Sequence, residues 1–426
     1  MSSDASGVKP TQRPGKRQRE MAVEINPSGR TAAVPFAKFL ALYAAMFTAF
    51  GALSPFLPAL LSKRGLGPET LGLTLAAATA ARLAAGPAAG RIADRLAAPH
   101  AVLSACAVCA ALAGLAFLPA QGPLALLVVS LLQACALAPI VPIADALSLA
   151  SAAPALWSAA RLRSFDYGWV RGAGSAAFIA GVVLGGRMIG RIGFSAIVLL
   201  NAALLAGAAL LAFWVPNRIA SRPGRDAPRP LAGRDGIGAL LRMPAFRRLL
   251  LVAALVQGSH AMHDAFAVIR WQAAAIDPSV IGLLWSEGVA GEIIVFFIVG
   301  PLMLNRLGPA RSAVLAAAAG VVRWAAMAQA TKAALIALIE PLHGFTFALL
   351  HLACMHLIRE SVPARLAATA QTVYATLGIG LATALLTLCS GLLYARWGAG
   401  GFWVMSGLCA VAVPLSRDLR PEANRP

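Results

Sequence analysis

Arg323 stands in the middle of an apolar run, residues 312–330. A guanidinium at bilayer depth costs about 2.5–3.5 kcal/mol even on the gentlest insertion scale, so it needs a partner or a task. Glu292 lies one apolar segment earlier, and Glu340, His343 and His351 lie one segment later. His343, Phe347 and His351 recur at i, i+4 and i+8, so a helix presents them on one face, with Glu340 close to it. His260 and Asp264 are also four apart, the spacing of an imidazole–carboxylate pair on one helix. A cation that grips a carboxylate, with acids and imidazoles that carry a proton, is the equipment for binding a polar solute and coupling it to proton movement. Glu292 is desolvated unless it meets Arg323. We therefore expect a substrate carboxylate and Glu292 to compete for that cation, with protonation of Glu292 relieving the competition.

The same residues have structural readings. Arg323 and Glu292 can form a static pair that fixes helix packing. His351 and His356 fall toward a helix end, where a solvated or capping role is ordinary. Arg82 and Arg171 suit gate contacts as well as substrate contacts, and Asp145 can simply pair with Arg171. Trp271, Trp285, Trp324, Phe266 and Phe347 can line an apolar pocket, although Trp271 fits an interfacial aromatic belt. Trp324 adjoins Arg323, and adjacent helix residues point about 100° apart, so only one of the two is expected to face a cavity.

The elements that hold these residues are membrane spans. Hydrophobic residues make up 59% of the 426-residue chain and charged residues 12%, against about 45–50% and about 25% in soluble domains. We expect an all-α membrane protein. Apolar runs fall at 36–61, 70–89, 100–119, 123–148, 169–189, 194–215, 246–271, 279–303, 309–330, 333–358, 366–394 and 400–415, each long enough to cross a bilayer. The arginine-rich, proline-rich stretch from Asn217 to Arg242 divides twelve transmembrane helices into two six-helix bundles. The expected division is a disordered basic cytoplasmic tail at 1–35, bundles at 36–216 and 246–416, a linker at 217–245 and a second cytoplasmic tail at 417–426. No secretory leader is visible at the N-terminus.

A net charge of +19 would suit a nucleic-acid partner. Most of the 36 Lys and Arg residues, however, fall on one set of inter-span segments, as the positive-inside rule requires. The basic balance reports orientation and contact with membrane lipid, and no nucleic-acid partner is expected. The six cysteines all lie in apolar runs, and the Cys106–Cys109 pair has no second pair or histidine cluster to complete a metal site. No zincin, phosphate-loop or nucleophile-elbow motif is present. We expect no catalytic residues, metal or cofactor, which disfavours a polytopic membrane enzyme.

Gly90, Arg91, Asp94 and Arg95 form a G-x-x-x-D-R loop between the second and third spans. This matches the major facilitator signature, in which the Asp and Arg clamp the cytoplasmic gate when the protein faces outward. A degenerate copy, Gly300-Pro-Leu-Met-Leu-Asn-Arg-Leu-Gly308, follows span eight. More specific strings run in order along the chain: Ser54-Pro-Phe-Leu-Pro58, Glu69-Thr-Leu-Gly72, Pro139-Ile-Val-Pro-Ile-Ala-Asp-Ala-Leu147, Asp166-Tyr-Gly-Trp-Val-Arg-Gly-Ala-Gly-Ser175, Gln257-Gly-Ser-His260, Gly320-Val-Val-Arg-Trp324, His343-Gly-Phe-Thr-Phe347 and Phe402-Trp-Val-Met405. Over roughly residues 36–415 the chain resembles the 3-phenylpropionic acid transporter family, a major facilitator branch related to the lactose permease group.

That resemblance implies a major facilitator fold that rocks about a central site, and proton symport. It carries over Asp145, Arg171, His260, Glu292, Arg323, His343 and His351, while His263, Asp264, Glu287 and Glu340 depart from the pattern and imply a more polar cavity. The expected function is proton-coupled uptake of a small organic solute such as an aromatic monocarboxylate. The alternatives are a sugar or nucleoside symporter and a proton-antiport exporter. Arg323, His343, His260, Phe347 and Trp324 are the expected substrate contacts, and Glu292, His343, Asp264 and His351 the expected proton carriers. Arg82, Arg171, Asp145 and Glu340 are further intramembrane charges. The expected setting is a bacterial inner membrane, with both termini cytoplasmic and a monomer sufficient for transport.

Overall fold

The computed structural model describes residues 29–152, 165, 167–216 and 234–419. Residues 1–28 of the tail expected at 1–35, the stretch 153–164, residue 166, most of the central linker and the last residues, 420–426, lie outside them. Regular structure among the described residues is entirely helical.

Span one is α1 (Gly29–Leu53) continued by α2 (Leu57–Lys63). It is followed by α3 (Pro68–Leu96), α4 (Pro99–Ala116), α5 with α6 (Gly122–Leu137, Ile140–Ala152), α7 (Tyr167–Arg191) and α8 (Phe194–Ala212). A short helix, α9 (Arg234–Arg242), occupies part of the expected linker and leads into span seven, α10 and α11 (Pro244–Gly258, His260–Ala273). Span eight is α12 (Pro278–Ile294) with a π segment, Val295–Val299, and α13 (Gly300–Gln329) carries its end and all of span nine. Span ten is α14 (Ala333–Ile339), a 3₁₀ turn at Glu340–Leu342, a π segment at Phe345–Leu349 and α15 (Leu350–Ser361). Span eleven is α16 (Ala367–Val373), a π segment at Tyr374–Leu381 and α17 (Ala382–Trp397), and span twelve is α18 (Gly401–Arg417).

Length and composition alone mark eight apolar helical stretches among the described residues, two of them 52 and 51 residues long. About 75 Å of helix is twice what a bilayer core of about 30 Å requires, so each of those two makes two spans. The two remaining spans, Pro68–Leu96 and 244–273, carry Arg82 and the His260–His263–Asp264 group, and these charges dilute their hydropathy. Large apolar side chains such as Leu124, Leu210, Phe297 and Leu338 point outward and are 60% or more exposed, as a lipid-facing surface demands.

Two expectations change at the level of local structure. The G-x-x-x-D-R residues are not in a loop: α3 runs through them to Leu96, and the turn falls at Ala97, which is left-handed (φ 49°). Likewise the Gly300 copy is helical up to a kink at Gly308, whose φ of 75° suits a residue without a Cβ. Both arise because a helix end that projects beyond the bilayer core meets water, so polarity there does not end the helix.

The two bundles meet most closely at one end. A Cβ on Gly72 of α3 would lie 2.7 Å from the Gly391 Cα of α17, and one on Gly282 of α12 would lie 2.9 Å from the Val182 carbonyl oxygen of α7. Glycine at these crossings lets the backbones touch. The hydrophobic core is continuous across this seam, joining Leu53, Phe56 and Leu60 to Phe266, Trp271 and Ile281. A second core, built around Phe39, Tyr43, Ile140 and Leu205, stays within the N-terminal bundle. The Gly90–Arg95 motif is at the opposite end of α3, where the Asp94 carboxylate makes no ion pair or hydrogen bond among the described residues. The clamp is thus unmade in a conformation whose seam end is shut.

Candidate functional site

Between the bundles lies a cavity of about 540 Å³, within the range of small-molecule sites. Phe47, Ser54, Arg82, Arg171, Ser175 and Phe178 line it from the N-terminal bundle. From the C-terminal bundle come Gln257, His260, His263, Asp264, Glu292, Arg323, Glu340, His343 and Phe347, among others.

Arg323 is fully buried and its Nη2 lies 3.1 Å from Glu340 Oε2, itself only 2% exposed. The expected Arg323–Glu292 pair does not form. Two features of spans eight and ten decide this. Pro341 lacks an N–H, and the chain passes through a 3₁₀ turn at Glu340–Leu342 that turns Glu340 inward. Gly288 and Gly291 bring span eight so close that a Cβ on Gly291 would lie 2.8 Å from the Pro341 carbonyl oxygen, while one on Gly288 would lie 3.0 Å from Glu340 Oε2. Gly344 packs against the Gly291 carbonyl in the same contact. Glu340 therefore fills the position beside Arg323, and Glu292 is left one residue further out.

A chain of polar contacts results. Arg323 Nη1 donates to His343 Nδ1 at 3.1 Å, and His343 Nε2 lies 3.5 Å from Glu292 Oε2. An arginine only donates, so His343 Nδ1 accepts and the ring carries its proton on Nε2, toward Glu292. On the other side of Glu340, Oε1 lies 3.1 Å from His263 Nε2, and His263 Nδ1 lies 3.3 Å from Asp264 Oδ1. Both nitrogens of the His263 ring thus face carboxylates, an arrangement that holds a proton between two acids. The chain starts and ends at carboxylates open to the cavity, Asp264 (56% exposed) and Glu292 (29%), and its centre is buried.

Other expectations sort themselves by contact. His260 does not meet Asp264: its Nδ1 lies 3.0 Å from the Gln257 carbonyl oxygen and its Nε2 2.9 Å from Thr346 Oγ1. Both nitrogens of His260 are thus occupied by span-seven carbonyls and by Thr346 of span ten, and His263 takes the Asp264 contact instead. Thr346 also lies 3.4 Å from Arg323 Nη1, so His260 and Thr346 brace the guanidinium. Trp324 does not line the cavity. It lies beneath Arg323, with the guanidinium 4.4 Å from its ring and its Nε1 donating to Ser259 Oγ at 2.7 Å. Trp271 is 1% exposed, packed edge-on to His263, and is no belt residue.

His343 and Phe347 stack with ring centroids 5.5 Å apart and face the cavity together. His351 does not share that face. The π segment Phe345–Leu349 inserts an extra residue into the helical ladder, and His351 turns to Tyr374, its Nδ1 3.3 Å from the phenolic oxygen. In the N-terminal bundle Tyr43 donates to Asp145 Oδ1 at 2.5 Å, and Arg171 Nη1 lies 3.5 Å from the same oxygen and packs over Phe47. The Arg82 guanidinium has no hydrogen bond or ion pair among the described residues.

His263 and Thr346 are the residues that spacing rules passed over. An ionisable group at bilayer depth was the available signal for His263, whereas Thr346 gives none in sequence.

Comparison with known proteins agrees with this architecture. The family model described as the MFS_1 like family matches residues 37–405. The protein named "Probable 3-phenylpropionic acid transporter" of Escherichia coli (strain K12) is 33% identical over 391 residues, 90% of this chain and 97% of that protein. The maltose permease of Geobacillus stearothermophilus is 27% identical over 374 residues, 88% of this chain and 91% of its own. Among solved structures, the nucleoside transporter NupG superposes with a TM-score of 0.78 at 16% identity, covering 90% of this chain and 98% of that one. A bacterial homologue of the lysosomal transporter Spinster gives 0.67 at 14% identity, over 92% and 97%. Twelve spans in two bundles around a charged central cavity, together with these matches, place the chain in the MFS_1 like family, as a major facilitator transporter and not an enzyme.

Proposed function

We propose that this transporter couples uptake of a small organic carboxylate with an apolar or aromatic body to the entry of a proton. The observation that carries the reading is the division of charge across one cavity. The N-terminal wall offers Arg82, a guanidinium without a partner among the described residues, whereas the C-terminal wall presents the carboxylates of Glu292 and Asp264. Bringing the walls together desolvates both, which is costly for any charge left uncompensated. A substrate carboxylate compensates Arg82, and a proton on Glu292 compensates the opposite wall. Neither ligand alone leaves the cavity ready to close, and that interdependence is the coupling.

Arg323 serves here as the keystone of the C-terminal wall, since Glu340 already neutralises it. Through His343 it senses whether Glu292 carries a proton. Phe47, Phe178 and Phe347 hold the apolar body. The resemblance in name and sequence to a probable 3-phenylpropionic acid transporter supports a carboxylate; the maltose permease relative makes sugars the competing outcome. The positive-inside bias supports a cytoplasmic motif end, with both termini there, in a bacterial plasma membrane. One chain supplies both walls of the cavity, which supports transport by a monomer.

The test is uptake of radiolabelled phenylpropionate into proteoliposomes with and without an inward-acid pH gradient, for wild type and Arg82→Gln. Gradient-stimulated accumulation that the variant loses is the expected result. Gradient-driven maltose uptake with no response to phenylpropionate would overturn the carboxylate reading.

A further inference from the structure

The N-terminal bundle holds a second cavity, of about 440 Å³, whose walls share Ser54, Arg82 and Phe178 with the central one. Its shape comes from proline. Span one breaks at 54–56, around Pro55, and span four breaks between Leu137 and Ile140, around Pro139. Proline has no N–H to give to the helical ladder and its ring crowds the preceding turn, so each span bends. Both breaks lie on this chamber: Leu53 and Leu57 flank the first, Leu137 and Val141 flank the second, and all of these line it. Helices that bend around one space cannot keep their packing rows in register there, and the gap is the result. The Ser54-Pro-Phe-Leu-Pro58 and Pro139-Ile-Val-Pro142 strings, which have no part in the charged chain, thereby acquire a task.

The two cavities differ in chemistry. Carboxylates, histidines and Arg323 crowd the C-terminal wall of the central one, and an apolar body laid over Glu292 or Asp264 would strip them of water. In the chamber Arg82 is the only ionisable group among the described residues of the lining. An apolar cavity of about 150 Å³ suffices to hold benzene, so the chamber has room for more than one ring. We propose that it is a second subsite that takes the far end of the substrate's apolar body, so that the preferred substrates are monocarboxylates with a longer body than phenylpropionate. The inference rests on the carboxylate reading above. The carboxylate stays on Arg82 at the boundary of the two cavities, Phe178 packs against the near part of the body, and the rest passes between the two proline breaks.

The test is calorimetric binding to the full-length protein in nanodiscs, with empty nanodiscs subtracted, using phenylacetate, 3-phenylpropionate, 4-phenylbutyrate and 5-phenylpentanoate. Each added methylene should tighten binding about fourfold, the transfer worth of one buried CH₂. Val141→Trp, which fills the chamber, should cut that gain to less than about twofold per methylene. Leu57→Trp fills it from another span and covers the case in which Val141→Trp does not fold. Phe347→Ala, in the central cavity alone, should weaken every member by a similar factor and keep the gain. Equal affinities across the series in wild type, or a gain that survives both tryptophans, overturns the chamber and leaves the carboxylate reading standing. A gain lost in Phe347→Ala and kept in Val141→Trp places the whole body in the central cavity and does the same. No binding of any member overturns the carboxylate reading, and the inference with it. The expected series without gradient-stimulated uptake removes the coupling and leaves the chamber standing.

Discussion

The Arg323 guanidinium and the Glu340 carboxylate are 3.1 Å apart with side-chain exposures of 0% and 2%, so the central cation of this transporter is neutralised from span ten. Span eight reaches it only through His343. A pair this deeply buried is expensive to break from one side, because the charge left behind has no water to turn to.

Glu340→Gln should therefore destabilise the protein by about 3–5 kcal/mol, read as a lower unfolding temperature in detergent. The double substitution Arg323→Met with Glu340→Met should recover most of that stability and yet support no transport. If the single variant were as stable as wild type, the two groups would not form a structural pair. If the double variant transported normally, the keystone role would fall.

Glu292 is one of the two carboxylates of the chain that open to the cavity, and its contact with His343 is long, 3.5 Å. Glu292→Gln mimics the protonated carboxyl. It should keep substrate exchange across equilibrated vesicles within a few-fold of wild type and lose accumulation driven by a pH gradient. Full concentrative uptake by this variant would assign coupling to Asp264 and His263.

Span eight meets span ten at Gly291, where a methyl group would press on the backbone of Pro341 and not on a movable side chain. Gly291→Ala should push the spans apart, lengthen the His343–Glu292 contact and reduce transport by at least tenfold. Gly207→Ala, on a helix where nothing lies within 4 Å of the new atom, is the matched control and should be neutral. Equal activities for the two variants would show that the crossing tolerates movement.

The seam between α3 and α17 closes one end of the cavity at Gly72 and Gly391. Gly72→Trp cannot be accommodated there, so the bundles should stay parted at that end. A cysteine placed on the seam-side cavity wall, such as Ser54→Cys, should then react with a polar thiol reagent added from that side in the Gly72→Trp background and be protected in its absence. Equal protection in both backgrounds would mean that the seam is not a gate.

The sequence by itself determined the solvent of this protein and much of its plan. Apolar runs of spanning length admit only helices, because a backbone in lipid must satisfy its own hydrogen bonds, and the arginine-rich linker splits them into two sets. It also marked Arg323, since one guanidinium in an apolar run stands out without any coordinates. The partner of Arg323 was not legible. Glu292 and Glu340 lie on spans to either side of it, and which one meets it depends on azimuth about a helix axis, where each residue turns the face by about 100°. A 3₁₀ turn at Glu340, a π segment at Phe345–Leu349 and the glycine contact of Gly291 with Pro341 set that azimuth. The same π segment turned His351 away from Phe347. Periodicity reads which residues can share a face; the tertiary structure decided which faces meet.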